Sequence, residues 1–522
     1  MMVLAVAVAI LFCANSVFAQ SAAFATITGR VLDPRGGAVP NATVNATNTE
    51  TGLVRTTTVT SDGLYRFENL APGIWNVTVE VQGFTKAQIN GVKLLVGEQR
   101  DVNFNLELAG QQQSIVVSSE VPLVETTKTD ISTVIDDKAV ANLPTTTSFN
   151  AIGGVANDYQ GLAASAPGVK YDYTGNSSDI EGPGNINDRG IQVSIDGGNI
   201  SDASTSARDA LGATVEEVKE FQVLTNNYNA EYGQAGNIIL NVITKSGTNS
   251  FHGDGHGYFR GRNLGASDFF YNLNAPTSRA PFFKHEEGFT AGGPLVKNRI
   301  FWFGSYEKVA QGSPATFTPF GNSVTVSQDT NEILGSAKVD VKLTDKHTLT
   351  VRYNLQRDLS SNLNVQTGPD TALSGLVNST VHDNTFNVGL VSTFTPHTVN
   401  EARFFWHRTR SLTPTNSTLP GQAGPNFYVG ADFCCPQGFL QSRFQYIDNV
   451  SYTHGTHTIK SGVNISHFPY DQLFQQYHFG EYGGFANGLP TRFTIGFGNA
   501  QVVAADTIYG LFVQDTWQMR RN

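Results

Sequence analysis

The sequence predicts a mainly β protein in three parts: an N-terminal seven-stranded-type β-sandwich, a small α/β domain, and a long antiparallel β region patterned like a barrel wall. Three observations lead there. Thr, Ser, Asn and 52 Gly crowd the intervals between abundant aromatics (34 Phe, 17 Tyr), a mixture that suits many strands joined by turns. Apolar residues recur mostly with period two rather than 3.6. Only 15% of residues are charged, too few for a disordered tail or a coiled coil. The net charge of −10 comes with no basic block, so nucleic acid is not an expected partner.

The one long apolar run, residues 3–14, is shorter than the ~20 residues a spanning helix needs. Small or branched residues follow at Val17 and Ala19, so 1–19 reads as a signal peptide cut after Ala19, although no Lys or Arg precedes the run. Cys13 does not read as a lipid-attachment site, because Phe12 before it is too large. No later run reaches spanning length, which excludes a helical membrane protein but leaves a β-barrel open. Cys434 and Cys435 are adjacent, a geometry that strains a bridge between them. They read as two loop thiols, or as part of a single loop disulfide whose partner is missing.

Residues 20–110 form the first part. Ala42, Val44 and Ala46 share one face of ATVNATN. Ile74, Val77, Val79 and Val81 carry the pattern of IWNVTVEV, and Val102, Phe104, Leu106 and Leu108 that of DVNFNLEL. Turn clusters between such strands give a sandwich. The run G-x-V-x-D-x-x-G-x-x-V-P-x-A-x-V at 29–44, with D-G-x-Y-x-F-x-N-L-x-P-G at 62–73, resembles the carboxypeptidase regulatory-like domain. That is an accessory module, so the resemblance implies no peptidase. Sugar binding would follow only by analogy with carbohydrate-binding sandwiches of similar fold.

Residues 111–248 mix short helices and strands. After the polar QQQ comes an extended run, SIVVSS. ISTVIDDKAVANLP is expected to be a short helix stopped before Pro144, and 150–170 to hold a second. IQVSIDGGNI places Val193 and Ile195 before an Asp196-Gly197 turn. VEEVKEFQVLTNN gives a short helix and a strand, and NIILNVITKSG a closing strand. Leu143-Pro144, Ala166-Pro167-Gly168-Val169, Ile195-Asp196-Gly197, residues 215–221, YNAEYG (228–233) and NVITKSGT (241–248) then FHG resemble the plug of TonB-dependent outer-membrane receptors, particularly the Oar-like group. The stretch 145–160 departs from that family, which has a compact Asn-Gly-Arg turn there. The resemblance implies a periplasmic TonB-like energy-coupling partner and identifies Ser114, Ile115, Val116, Val117, Ser118 and Ser119 as a candidate TonB box. Physically, such a segment must be extended, rich in β-formers and tethered, so that it can add as a strand to the partner's sheet. An ordinary linker strand meets the same description.

Residues 249–522 are strand upon strand. In GSAKVDVKLTDKHTLTVRYNLQR, Ala337, Val339, Val341, Leu349, Val351, Tyr353 and Leu355 share one face, and Lys338, Asp340, Arg352 and Asn354 the other. A second hairpin pairs Phe386, Val388 and Leu390 with Ala402, Phe404 and Trp406. Short turns alternate with long polar loops such as 408–445, as in transmembrane barrels, whose outer face meets lipid. GGPLVKNR (292–299) and IFWFGSYE (300–307) also resemble Oar-like receptors. At one strand per ~20–25 residues this segment holds about 10–13 strands against the ~22 of transporter barrels. An incomplete transmembrane antiparallel β-barrel is therefore expected, the N-terminal piece of a longer receptor. Phe301, Trp302, Phe303, Tyr353, Trp406 and Trp517 suit an interfacial girdle. The loops 171–190 and 408–445 are where an extracellular ligand would be sought.

Catalytic chemistry is not legible. His252 and His256 on a strand lie roughly 13 Å apart by strand rise, too far for one zinc, and read as residues facing a barrel interior. His478-x-x-Glu481 lies in a Gly-rich loop with no third ligand placed around it. No metalloprotease helix motif, phosphate loop, dinucleotide fingerprint or nucleophile elbow occurs. No enzyme, cofactor or metal is expected. The leading expectation is an energy-coupled outer-membrane receptor for an unidentified ligand. The alternative is a non-transporting surface protein that binds carbohydrate or matrix through its sandwich and outer loops.

Overall fold

The structure is a computed structural model that describes residues 24–109, 115–117, 131–143, 159–171, 180–182, 191–201, 213–233, 238–264, 282–364 and 368–517. The expected signal peptide, Ser114, Ser118, Ser119, most of 145–160 and most of the 171–190 loop lie outside these residues. The strands are β1 (Ala25–Leu32), β2 (Thr43–Asn48), β3 (Val54–Thr58), β4 (Leu64–Leu70), β5 (Gly73–Glu80), β6 (Ala87–Leu94), β7 (Gln99–Asp101), β8 (Phe104–Asn105) and β9 (Ile115–Val117). They form two sheets, β4-β1-β7 with β8 also on β1, and β3-β2-β5-β6-β9. Between them lie Ile27, Val44, Trp75, Val77, Val79 and Phe104, all buried. The polar tips of two buried aromatics are satisfied: Trp75 Nε1 donates to the Ala71 carbonyl (3.0 Å) and the Tyr65 hydroxyl to the Val102 carbonyl (2.6 Å). Two expected core positions differ. Ile74 is 42% exposed because it falls on the opposite parity to the valines, and Trp75 takes the inner place. Leu108 is 61% exposed because beyond β8 the chain no longer runs along β1 and instead bridges Phe84 at the edge of the module.

The middle segment holds β10 (Ile131–Ile135), β11 (Lys170–Tyr171), β12 (Ile180–Glu181), β13 (Ile191–Ile195), β14 (Gly198–Asn199), β15 (Val218–Asn226) and β16 (Ile238–Thr244). Its main sheet runs β10-β15-β16-β13-β14, with β13 and β16 parallel. β16 is buried on both faces, which explains its unbroken apolar run. Three helical expectations change. ISTVI is the strand β10, as its β-branched alternation favours, and the helix is only Asp137–Asn142, where the Asp136 carboxylate accepts from the Ala139 amide (3.1 Å). Within 150–170 the described helix is a 3₁₀ turn at Tyr159–Ser165. Residues 215–217 form a turn, not a helix, in front of β15.

The last segment is one sheet of ten strands in nearly sequential order: β17 (His252–Gly261), β18 (Phe283–Val296), β19 (Ile300–Phe317), β20 (Val324–Lys342), β21 (His347–Leu363), β22 (Val377–Thr395), β23 (Thr398–Thr413), β26 (Gln437–His454), β27 (His457–Phe474) and β30 (Gln501–Trp517). All neighbours pair antiparallel, and β17 and β30 are its two outer strands, so among the described residues the wall is open. Among the described residues no helix is long and apolar enough to cross a membrane. Turns at 297–299, 343–346, 396–397 and 455–456 gather at one end. The other end carries the long connections, two of which supply a small sheet from β24 (Gly421–Gly424), β25 (Phe427–Val429), β28 (Glu481–Gly483) and β29 (Arg492–Thr494). The loop expected at 408–445 is therefore shorter, because β23 continues to Thr413 and β26 begins at Gln437. Phe427 stacks on Phe320 (4.6 Å between centroids) and meets Phe485 edge-on (5.3 Å). Cys434 and Cys435 are buried and unbridged.

Candidate functional site

The wall curves around the middle sheet, and strand alternation decides what each presents. On β20 and β21, Lys338 and Arg352 point inward while Val339, Val341, Val351 and Tyr353 point outward. The inward faces of the hairpins are polar because they meet the polar rim of the middle sheet. Phe405 of β23 is an exception, since it joins that sheet's own apolar core. Phe301 and Phe303 also turn inward and are buried, so the expected girdle keeps only Trp302, Tyr353, Trp406 and Trp517 on the outward parity.

The seam is organised by two acidic residues. Asp196 sits at the tip of the β13–β14 hairpin with positive φ (45°), followed by Gly197 (φ 78°), the backbone of a two-residue primed turn. Its carboxylate accepts from the Thr244 hydroxyl (2.6 Å) and amide (3.1 Å) and pairs with Lys338 Nζ (3.3 Å), with Arg352 Nε at 3.8 Å. Burial alone would raise the Asp196 pKa. The charges of Lys338 and Arg352 and the two Thr244 hydrogen bonds outweigh it, so the pKa is lowered and the group is ionised. Glu217, in the turn before β15, accepts from Arg352 Nη2 (2.7 Å) and Nε (3.0 Å) and from the Ser305 hydroxyl (3.3 Å). Around these, Arg443 donates to the carbonyls of Asn199 and Ser201 (both 2.7 Å), Asn387 to the Asp196 carbonyl (3.0 Å), and Gln514 accepts from the Ala230 amide (3.0 Å). A Cβ at Gly197 would fall on the Arg403 guanidinium and one at Gly198 on the Phe405 ring, so both glycines permit the close approach.

The sandwich lies against the turn end. Arg55 donates to Thr393 and the Thr57 hydroxyl to the Pro396 carbonyl (3.2 Å), both at the β22–β23 turn. Its 95–98 loop presses on the middle sheet, where Val96 packs with Ile243, Val134 and Phe24. There Glu220 accepts from the Val96 amide (2.6 Å), and burial pushes its pKa up to about 7. Lys219 donates to the Pro72 carbonyl (3.0 Å) and Lys93 pairs with Asp136 (2.9 Å).

Of the candidate coupling segment, Ile115, Val116 and Val117 form β9, which pairs parallel with β6 in the register Ala87–Ile115, Gln88–Val116, Ile89–Val117. The segment thus completes an edge of the sandwich sheet. His252 and His256 share the inward parity of β17, but His252 lies by Ser250 and Phe303 while His256 faces Glu307. His478 is exposed against Phe479, and Glu481 turns toward Arg492 instead. Sequence reading named Lys338 and Arg352 only as wet-face residues. Their role needed the partner across the seam, though basic residues on wet strand faces alongside acidic ones in the middle segment were a usable signal.

This architecture, an outward apolar and inward polar antiparallel wall around a mixed sheet, agrees with the comparisons. Residues 243–323 and 318–522 match the outer membrane beta barrel domain model, and residues 26–107 the carboxypeptidase regulatory-like domain model. The chain belongs to the outer-membrane β-barrel family, which places it in the bacterial outer membrane. It is a homologue of the TonB-dependent transporter Oar of Myxococcus xanthus, 24% identical over 307 residues that make up 56% of this chain and 27% of that protein. Similar solved structures include the outer membrane transporter YddB from Escherichia coli (TM-score 0.54, 12% identity, 74% of this chain and 55% of that one). Another is the ferric enterobactin receptor of Pseudomonas aeruginosa, in complex with enterobactin (TM-score 0.52, 15% identity, 76% and 57%). These likenesses are of fold. The chain spans about a quarter of the length of the curated relative, and somewhat over half of the solved ones.

Proposed function

We propose that this chain is the receptor of an energy-coupled uptake system. The middle segment is its plug, the wall its barrel, and residues 114–119 the handle gripped by a TonB-like protein on the turn side. The observation that carries this reading is the seam itself: a small domain held inside a wall by buried charged groups rather than by a continuous apolar core. Buried ion pairs hold well while both partners are present and fail sharply when one is withdrawn, which suits an element that must stay shut and then move. The handle has the chemistry for strand addition, and its pairing with β6 supports this, since the same main-chain groups would serve a partner's sheet. The ligand enters from the loop end. The test is disulfide capture in cells between Ser119→Cys and cysteine-substituted TonB-like protein. An adduct is expected, and Val116→Pro should reduce it by at least ~10-fold, since proline removes the strand donor. No adduct, or one indifferent to Val116→Pro, refutes the handle.

A further inference from the structure

A second acidic group gathers in the seam beside the Glu217–Arg352 pair. Glu216 of the middle segment meets His256 of β17, Glu286 of β18 and Glu307 of β19, and one ligand atom from each lies within 4.8 Å of all the others. The register explains the gathering. His256 pairs with Gly288 and Gly288 with Glu307, so the imidazole and the carboxylate flank a residue with no side chain. A Cβ at Gly288 would lie 2.7 Å from His256 Cε1 and Nε2, so the glycine keeps open the space into which the ring leans. Neighbouring Glu216 and Glu217 diverge in their turn, one to this cluster and one to Arg352.

Several buried atoms here are left without a hydrogen bond: both ring nitrogens of His256, Oε2 of Glu307 and Oε2 of Glu216. The His256 side chain is 10% exposed and that of Glu307 3%. Such atoms are costly unless something meets them. Charge points the same way. Glu216, Glu286, Glu307 and the adjacent Asp254 face Lys284, which pairs with Glu286 (3.1 Å), and His256. Among the described residues these carboxylates outnumber the cations even with the imidazole protonated.

We propose that these four residues bind a divalent first-row transition cation that joins the middle segment to three wall strands. One imidazole with three carboxylates is a borderline donor set of the kind zinc and its neighbours accept. Ligands on one tetrahedral zinc lie roughly 3.3–3.5 Å apart given bonds of about 2.0–2.1 Å. His256 Nε2 and Glu307 Oε2, at 3.8 Å, need only a small closure. Asp254 Oδ2, 3.5 Å from His256 Nδ1, stands where a metal-bound histidine commonly finds a carboxylate for its other nitrogen. This geometry is the same whether or not the chain takes part in uptake.

The test is Zn²⁺ titration of the chelator-stripped chain in detergent against a competing chelator. A Cys434→Ser/Cys435→Ser background removes the other cluster of metal-capable groups among the described residues, Asp432, Cys434 and Cys435. One equivalent is expected to bind, weakened at least ~10-fold by His256→Gln or by Glu307→Gln. Zn²⁺ should also slow amide exchange at 216–218 in the parent and not in these variants. If either variant fails to fold, the half-buried Glu216→Gln gives the same readout. No zinc bound above a chelated control, or equal binding by parent and variants, overturns the proposal and leaves a protonated His256 as the counter-charge.

Discussion

Replacing Arg352 with alanine is the sharpest test of how the seam holds. The Arg352 side chain is 2% exposed and that of Glu217 1%, and the guanidinium places two nitrogens on one carboxylate oxygen at 2.7 and 3.0 Å while lying 3.8 Å from Asp196. Arg352→Ala leaves Glu217 buried with only the Ser305 hydroxyl at 3.3 Å. Stranding one partner of such a pair costs about 3–5 kcal/mol. At about 1.4 kcal/mol per factor of ten this is an increase of roughly a hundred- to a few thousand-fold in opening of the middle sheet from the wall. Hydrogen exchange of the β15 and β16 amides in detergent reads that opening directly. The double variant Glu217→Leu/Arg352→Met removes both charges and should return most of the protection, because an apolar pair of similar volume is close to neutral. An increase below ~5-fold for Arg352→Ala, or a double variant no better than the single, would refute the claim that this pair closes the seam.

Two further outcomes follow from the same contacts. Glu220 has a pKa of about 7 where it is buried and 4.5 when exposed, so the sandwich contact through the 95–98 loop binds a proton that the open form releases. The contact is strongest in acid and loses up to about 3 kcal/mol as pH rises from ~4.5 through 7. Proteolysis of that loop should accelerate between pH 5 and 8, and Glu220→Gln should remove the dependence. Gly197→Ala puts a Cβ on the Arg403 guanidinium at a φ of 78° and should destabilise the hairpin tip by roughly 1–3 kcal/mol, seen as faster exchange at β13 and β14.

How much was legible depended on whether a signal was local. The wall hairpins were, because one face must meet lipid and the other the middle segment, and strict alternation at 337–355 reports both. The sandwich is legible through its turns, yet Ile74 reads as core because an apolar residue at a strand start looks buried until parity is fixed by Trp75. β10 reads in sequence like the start of a helix because the Asp136 cap falls mid-phrase, and only the cap marks where strand gives way to helix. The seam was least legible. Lys338 and Arg352 face each other in one hairpin, but Asp196 and Glu217 come from two other stretches, and the companions of His256 lie on β18, on β19 and in the turn before β15, none of them near it in sequence.

The parking of Ile115–Val117 beside β6 has a mechanical corollary. On one side the chain returns to Ala109 within at most about 20 Å of contour, and on the other it reaches Ile131 only after about 50 Å. Under the proposed reading, a tug on that handle draws the short tether taut first. The load enters the sandwich, and through its contacts with Thr393 and Pro396 the rim of the barrel, before the longer tether begins to strain the plug.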